Sequence, residues 1–260
     1  MTRFLRLAGL FVALLGGRAI AAPDCQFDHS HARWNALLGN FVKGGVVDYA
    51  GLKKAPAALE AYLAELSSVC PAAYSGWTKQ QKVALWVNAY NAWTIKTVLD
   101  HYPLKSVKEI GLLPGAAWRD RFIPMASLRG GSGDLSLNDL EHEILRKDFP
   151  DSRLHFVLVC ASKSCPELRS EAYRAEQLDA QFDDAGRRFL ADASKNSWDA
   201  ATKTWHVSSI FKWYASDFER DGPGLVPFLK RFTAEPTLAS LGSAQPTLDY
   251  LTYDWTLNGR

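Results

Sequence analysis

Two thiols, Cys160 and Cys165, close a short apolar run in Leu154-His-Phe-Val-Leu-Val-Cys160-Ala-Ser-Lys-Ser-Cys165-Pro166. A thiol becomes a nucleophile once a base or a positive field lowers its pKa. The pair therefore points to acyl transfer or hydrolysis of an amide or thioester, on a peptide or a small thiol conjugate. Cys165 has the better local setting: Lys163 is near, and Pro166 suits the first position of a helical turn whose positive end would face the sulfur. Cys160, at the end of an expected strand over Phe156–Val159, has the more fixed position. Side chains alternate along a regular strand, so His155 and Cys160 would lie on opposite faces. A base for Cys160 must come from elsewhere in the chain.

His142 is the first choice of base and His155 the second. Ser136-Leu-Asn-Asp139 reads as a helix start with an acidic capping residue, and the helix is expected to reach about Lys147. Leu137, Leu140, Ile144 and Leu145 form its buried face, with Glu141 at the middle of that face and His142 on its flank. A carboxylate among apolar neighbours needs a partner. Either Glu141 joins a structural salt bridge or accepts from backbone amides, or it orients a group beside the thiols. Lys79 to His101 reads as a helix apolar nearly all round, which makes it a core helix. Its Asn88 and Asn91 must find buried partners, by tying down loop backbone or by lining a site as orienting donors together with Tyr90.

Other chemistries compete for the same residues. The chain has four cysteines, and an even count in an exported protein suggests disulfides. The simplest pairing joins Cys25 to Cys70 and Cys160 to Cys165. The thiols would then hold no nucleophile, and the chain would be a non-catalytic exported binding protein. A redox-active disulfide ranks lower, because the spacing differs from Cys-x-x-Cys. A zinc site from His142, His155, Cys160 and Cys165 ranks last, since the cysteines lack the tight spacing of structural zinc sites. No metal and no cofactor are expected.

The first residues have a basic start, an apolar stretch Leu7–Leu15 and small residues at Ala19-Ile-Ala21. That is the pattern of a secretory signal over residues 1–22, and it implies a periplasmic or secreted protein with no membrane span after its removal. Removal takes away three arginines and no acids, which moves the formal charge from +2 to −1. A near-neutral protein carries no basic footprint for nucleic acid. The expected partner is a small-molecule or peptide substrate.

The elements that must position these residues are mostly helical. Residues 23–30 read as a mobile leader with His29 and His31 exposed. A short helix follows over 32–42, Gly44-Gly45 breaks it, and Val46-Val47 begins a strand. Pro56 opens a helix to about Val69. Later come a strand near Phe122–Leu128, a helix over Ala172–Ala193, a strand over Lys203–Val207, an aromatic core segment Ile210–Phe218 and a helix near Leu225–Phe232. The end alternates, with Leu251, Tyr253, Trp255 and Leu257 on one face. Strands scattered among helices give an α+β class: a small mixed or antiparallel sheet around a central buried helix. One globular domain is expected over 46–257, preceded by a leader and short helix over 23–45.

Four stretches together resemble the family called domain of unknown function 547. They are Trp86-Val-Asn88-Ala-Tyr90-Asn91, Ser136-Leu-Asn-Asp-Leu-Glu141-His142, the cysteine segment from His155 to Pro166, and Ile210-Phe-Lys-Trp213-Tyr-Ala-Ser-Asp-Phe218. Leu251-Thr-Tyr253-Asp254-Trp255 is similar to that family's last strand. The resemblance implies no assigned activity. Its motif positions fall on Asn88, Asn91, Glu141, His142, His155, Cys160 and Cys165, residue types similar to those of papain-like and transglutaminase-like thiol sites.

Overall fold

The longest helix starts at a capping box. The Thr78 hydroxyl accepts from the Gln81 N–H at 3.2 Å, and the Gln81 side chain accepts from the Thr78 N–H at 2.9 Å, satisfying two amides that the first turn leaves open. The helix runs Lys79–His101, and from Val83 to Leu99 all but Lys96 are buried. Lys96 pairs with Asp100 along the polar stripe. In this computed structural model, residues 25–222, 224–243 and 245–260 are described; the export signal expected over 1–22 lies outside them.

Helices Tyr49–Lys54 and Ala57–Ser67 and the segment Asp139–Leu145 pack on the central helix. A two-strand hairpin, Val42–Lys43 with Val46–Val47, precedes them. Gly44 and Gly45 have φ of 53° and 76°, the positive values that a two-residue hairpin turn demands of both central positions. A second sheet joins Ser197–Asp199, Thr204–Ser208 and Thr247–Leu251, antiparallel at the first pair and parallel at the second. The sheet is therefore mixed, and the class is α+β as the sequence indicates. Buried apolar side chains from Trp34 to Leu257 form one core cluster. Phe156 lies at the centre of its aromatic part, against Phe189, Phe211, Phe218, Phe228 and Phe232.

Several expectations need correction. No strand covers Phe156–Val159. Ser152–Phe156 is a 3-10 turn and 157–159 is irregular, although Leu154 to Val159 are all buried. Asp151 caps the turn by accepting from the Arg153 N–H, and backbone bonds from Val157 and Leu158 return to Leu154. A short apolar run reports burial, and burial alone does not distinguish strand from turn. The expected strand near Phe122–Leu128 is a single bridge between Ile123 and Leu135 followed by a 3-10 turn, Ala126–Arg129. The Ala172–Ala193 helix is shorter, Leu178–Ala191, after a 3-10 turn at Ala175–Gln177. Helix Glu235–Leu241, with proline in its first turn, was not anticipated.

The leader is tied to the rest of the chain, and its two histidines are not exposed. Cys25 is bonded to Cys70, and His31 is only 1% exposed, its Nδ1 2.8 Å from the Tyr62 hydroxyl. The disulfide shortens the tether, so the rings of Phe27, His29 and Trp77 pack together. At the other end, 252–257 leaves the sheet but stays extended, and its alternation holds. Tyr253 and Trp255 are half-buried, Leu257 is buried, and Thr252, Asp254 and Thr256 face outward.

Candidate functional site

The segment carrying Glu141 and His142 begins as the sequence suggests. The Ser136 hydroxyl accepts from the Asp139 N–H at 3.0 Å while Asp139 accepts from the Ser136 N–H at 2.8 Å. The chain then winds as a wide π-helix over Asp139–Leu145, with residues 137–138 before it and Arg146–Asp148 after it in α geometry. Such widened turns are rare and redirect side chains. Here the wider winding brings Glu141, His142 and Arg146 towards the short helix Ile210–Trp213 and the residues that follow it.

A cavity of about 330 Å³ opens at this place. Tyr90, Glu141, His142, His155, Cys160 and Cys165 all line it, joined by Trp118, Trp213, Tyr214, Tyr253 and Trp255. Six of the eight residues singled out from sequence thus meet at one surface. Asn88 and Asn91 do not. The Asn88 amide donates to the Tyr173 carbonyl at 2.8 Å and its oxygen accepts from the Tyr173 N–H at 3.0 Å. Asn91 does the same for the cysteine segment, donating to Val157 O at 2.9 Å and accepting from Val159 N–H at 3.0 Å. Both amides tie loop backbone to the central helix, and Asn91 sets the approach to Cys160.

Glu141 is 9% exposed and has no ion-pair partner among the described residues. It accepts from the Tyr214 hydroxyl at 2.7 Å and the Tyr90 hydroxyl at 3.2 Å. Burial first, and the neighbouring carboxylate second, push both phenols far above their usual pKa, so each remains a hydrogen-bond donor at every ordinary pH.

The two imidazoles are held by separate partners. Arg146 donates to His142 Nδ1 at 2.6 Å; an arginine can only donate, so that nitrogen is an acceptor and the ring proton sits on Nε2. His155 Nε2 lies 2.8 Å from Asp217 Oδ2, and its ring stacks on Tyr214 with centroids 3.9 Å apart. Asp217 also receives Arg146 at 2.7 Å and Arg220 at 3.1 Å. Burial alone would raise the Asp217 carboxyl. The bonds from His155 and Arg146 outweigh it and hold Asp217 well below the usual carboxylate range.

The sulfurs are joined to each other. Cys160 and Cys165 form a disulfide, so in this state neither is a free nucleophile. The Tyr253 hydroxyl lies 3.3 Å from Cys160 Sγ and 3.2 Å from Cys165 Sγ. The Ser162 hydroxyl lies 3.2 and 3.3 Å from the same two atoms. The Cys160 N–H also points at Cys165 Sγ, 3.0 Å away. The loop holding them is clamped by the C-terminal segment: Lys163 N–H donates to Thr256 O at 2.8 Å and Asp254 N–H to the Ser164 hydroxyl at 2.8 Å.

Aromatic rings form the walls. Trp213, Tyr253 and Trp255 pack with centroids 4.6 to 5.9 Å apart, and Trp118 meets Trp255 at 5.8 Å. Trp213 is exposed, and Leu112, fully open to solvent, and the exposed Leu113 directly precede the lining residues Pro114 and Gly115. No group of three or more His, Cys, Asp or Glu among the described residues could hold a metal ion. The four residues considered for zinc are engaged otherwise, the cysteines with each other and the imidazoles with Arg146 and Asp217.

Sequence reasoning treated Tyr214, Asp217, Tyr253 and Trp255 as packing. The alternating pattern did place Tyr253 and Trp255 on one face. Asp217, an acid inside an aromatic segment, carried the same signal as Glu141 and could have been found by it.

Residues 74–190 match the family described as "Protein of unknown function, DUF547". Over those residues the chain is similar to that family. The family match contains Asn88, Tyr90, Asn91, Glu141, His142, His155 and both cavity cysteines. The cavity walls from Trp213 to Trp255, including the Ile210–Phe218 and Leu251–Trp255 motifs, lie beyond it. No curated protein and no solved structure matches the chain. Among the described residues, no helix is long and apolar enough to cross a membrane.

Proposed function

We propose that this chain is an exported, single-domain binding protein whose cavity takes a small organic molecule or short peptide by an amine. Glu141 carries the reading. It is an enclosed carboxylate with two tyrosine donors, near the Arg146 guanidinium but with no direct ion-pair partner among the described residues, and it is set among aromatic faces. A bound ammonium would supply that direct partner and lie against ring faces that attract cations. Arg119 also lines the cavity and is exposed, so a ligand carrying a carboxylate at its other end has a partner there. Export is supported by the signal-like residues 1–22 and by disulfides in the chain that follows; N-terminal sequencing of protein recovered outside the cytoplasm should start within a residue or two of Pro23.

The test is titration of short peptides and their N-acetylated counterparts, read by tryptophan fluorescence, since Trp118, Trp213 and Trp255 surround the site. Free-amine ligands should bind more tightly than acetylated ones. Glu141→Gln should weaken the free-amine ligands by about 10- to 100-fold, the size of a hydrogen bond between charged groups. Equal affinity for both ligand forms, or an unaffected Glu141→Gln protein, sinks the amine reading.

A second reading keeps the thiol chemistry. Both imidazoles line the same cavity as both sulfurs, so a reduced protein would hold thiols and bases together. Hydrolysis of a thioester or amide should then appear only with reductant and vanish in Cys165→Ser. Activity that ignores reductant removes this reading.

A further inference from the structure

The donors around Cys160 and Cys165 are more than a structural cross-link requires. The sulfurs of a disulfide are weak acceptors and gain little from hydrogen bonds, whereas a thiolate is a strong acceptor and its pKa falls with each donor aimed at it. Two hydroxyls, from Tyr253 and Ser162, lie within 3.3 Å of both sulfurs and 3.1 Å from each other. The Cys160 amide adds a third donor, to Cys165. The two cysteines also differ in exposure. Cys165 is 3% exposed, while Cys160 is half-buried, and both border the cavity. Cys25–Cys70, by contrast, ties the N-terminal segment to the start of helix Pro71–Ser75 and does not line the cavity that holds Cys160 and Cys165.

We infer that the Cys160–Cys165 disulfide is a thiol–disulfide exchange centre that oxidises a thiol-bearing ligand entering the cavity. The incoming thiolate attacks Sγ of Cys160, the more exposed cysteine, forming a new S–S bond as the Cys160–Cys165 bond breaks. Cys165 leaves as a thiolate held by the Cys160 N–H and the hydroxyls of Ser162 and Tyr253. A second thiolate then attacks the ligand sulfur of the mixed disulfide and releases Cys160. Two thiols become one disulfide, and their two electrons and two protons end on the cysteines. A low-pKa leaving thiol accelerates the first step, which is the effect these donors supply. The inference shares the proposed cavity but not its amine preference, and the two fail separately.

The test treats the native, oxidised protein with reduced glutathione, quenches in acid and maps disulfides by peptide mass. Cys160–Cys165 should open while Cys25–Cys70 stays closed, and glutathione should appear on Cys160. Tyr253→Phe, which removes only an oxygen, and Ser162→Ala should each slow opening about tenfold or more, one charge-assisted bond apiece. An intact Cys25–Cys70 bond and unchanged circular dichroism certify that each variant is folded. Resistance of Cys160–Cys165 until denaturant is added, glutathione on Cys165 instead, or unchanged rates in both folded variants would overturn the assignment. Amine binding measured on the oxidised protein is unaffected by any of these outcomes, so it reports on the proposed binding function alone.

Discussion

Replacing Asn91 with alanine tests how the site is held up. The side chain is 2% exposed and makes two bonds to one backbone stretch, to Val157 O at 2.9 Å and from Val159 N–H at 3.0 Å. That stretch has no sheet to pair with, so both groups lose their partner together. A buried backbone group left unpaired costs about 1–3 kcal/mol, and the void left by the amide adds to it. Asn91→Ala should therefore lose about 3–5 kcal/mol, a fall in Tm of about 10 °C or more for a domain of this size. Asn91→Asp is the sharper variant. It keeps the acceptor for Val159 but turns a carboxylate towards the Val157 carbonyl. Burial raises the folded-state pKa of that carboxyl above its unfolded value, so the deficit should shrink as pH falls below it and the protonated oxygen donates to Val157. Urea unfolding at several pH values, with m checked for constancy, measures both. A loss under about 1 kcal/mol for Asn91→Ala, or a pH-independent deficit for Asn91→Asp, would refute the clamp.

Two further outcomes follow from the packing. Burial first, and His29 second, push the His31 imidazole down to about 4, against the opposing charge of Asp28. An unfolded histidine titrates near 6.5, so the stability His31 contributes is present above about pH 6.5 and is lost as pH falls towards 4, by up to about 3 kcal/mol. His31→Gln should flatten the urea midpoint across that window; an unchanged pH slope would count against it. A Cβ on Gly186 would stand 2.7 Å from Phe232 Cδ1 and 3.0 Å from the Phe156 ring. The helical gain of about 1 kcal/mol from Gly186→Ala should be exceeded by overpacking, costing about 1–3 kcal/mol, for a net loss by thermal unfolding; a gain in Tm would show that the rings yield freely.

Periodicity and end signals were enough for the elements that satisfy their own backbone. The central helix runs Lys79–His101 as expected, the inward side of 251–257 is Tyr253, Trp255 and Leu257, and the simplest cysteine pairing is the one formed. These signals act within a few residues of the atoms they control. The stretch from Leu154 to Val159 was read correctly as buried and wrongly as a strand. Its backbone bonds run to Asp151 beside it, back to its own Leu154, and to Asn91, 68 residues from Val159.

The candidate site shows the same division. Residue type alone identified Glu141, His142, His155 and the two thiols as groups that need a reason to be where they are. Tertiary structure decided what each one meets: Glu141 meets Tyr90 and Tyr214, 51 and 73 residues away, and both sulfurs meet Tyr253, about 90 residues on. Alternation along the chain records which side chains avoid water. The partners that satisfy a buried polar atom are chosen by how distant segments pack, and only the folded chain brings them together.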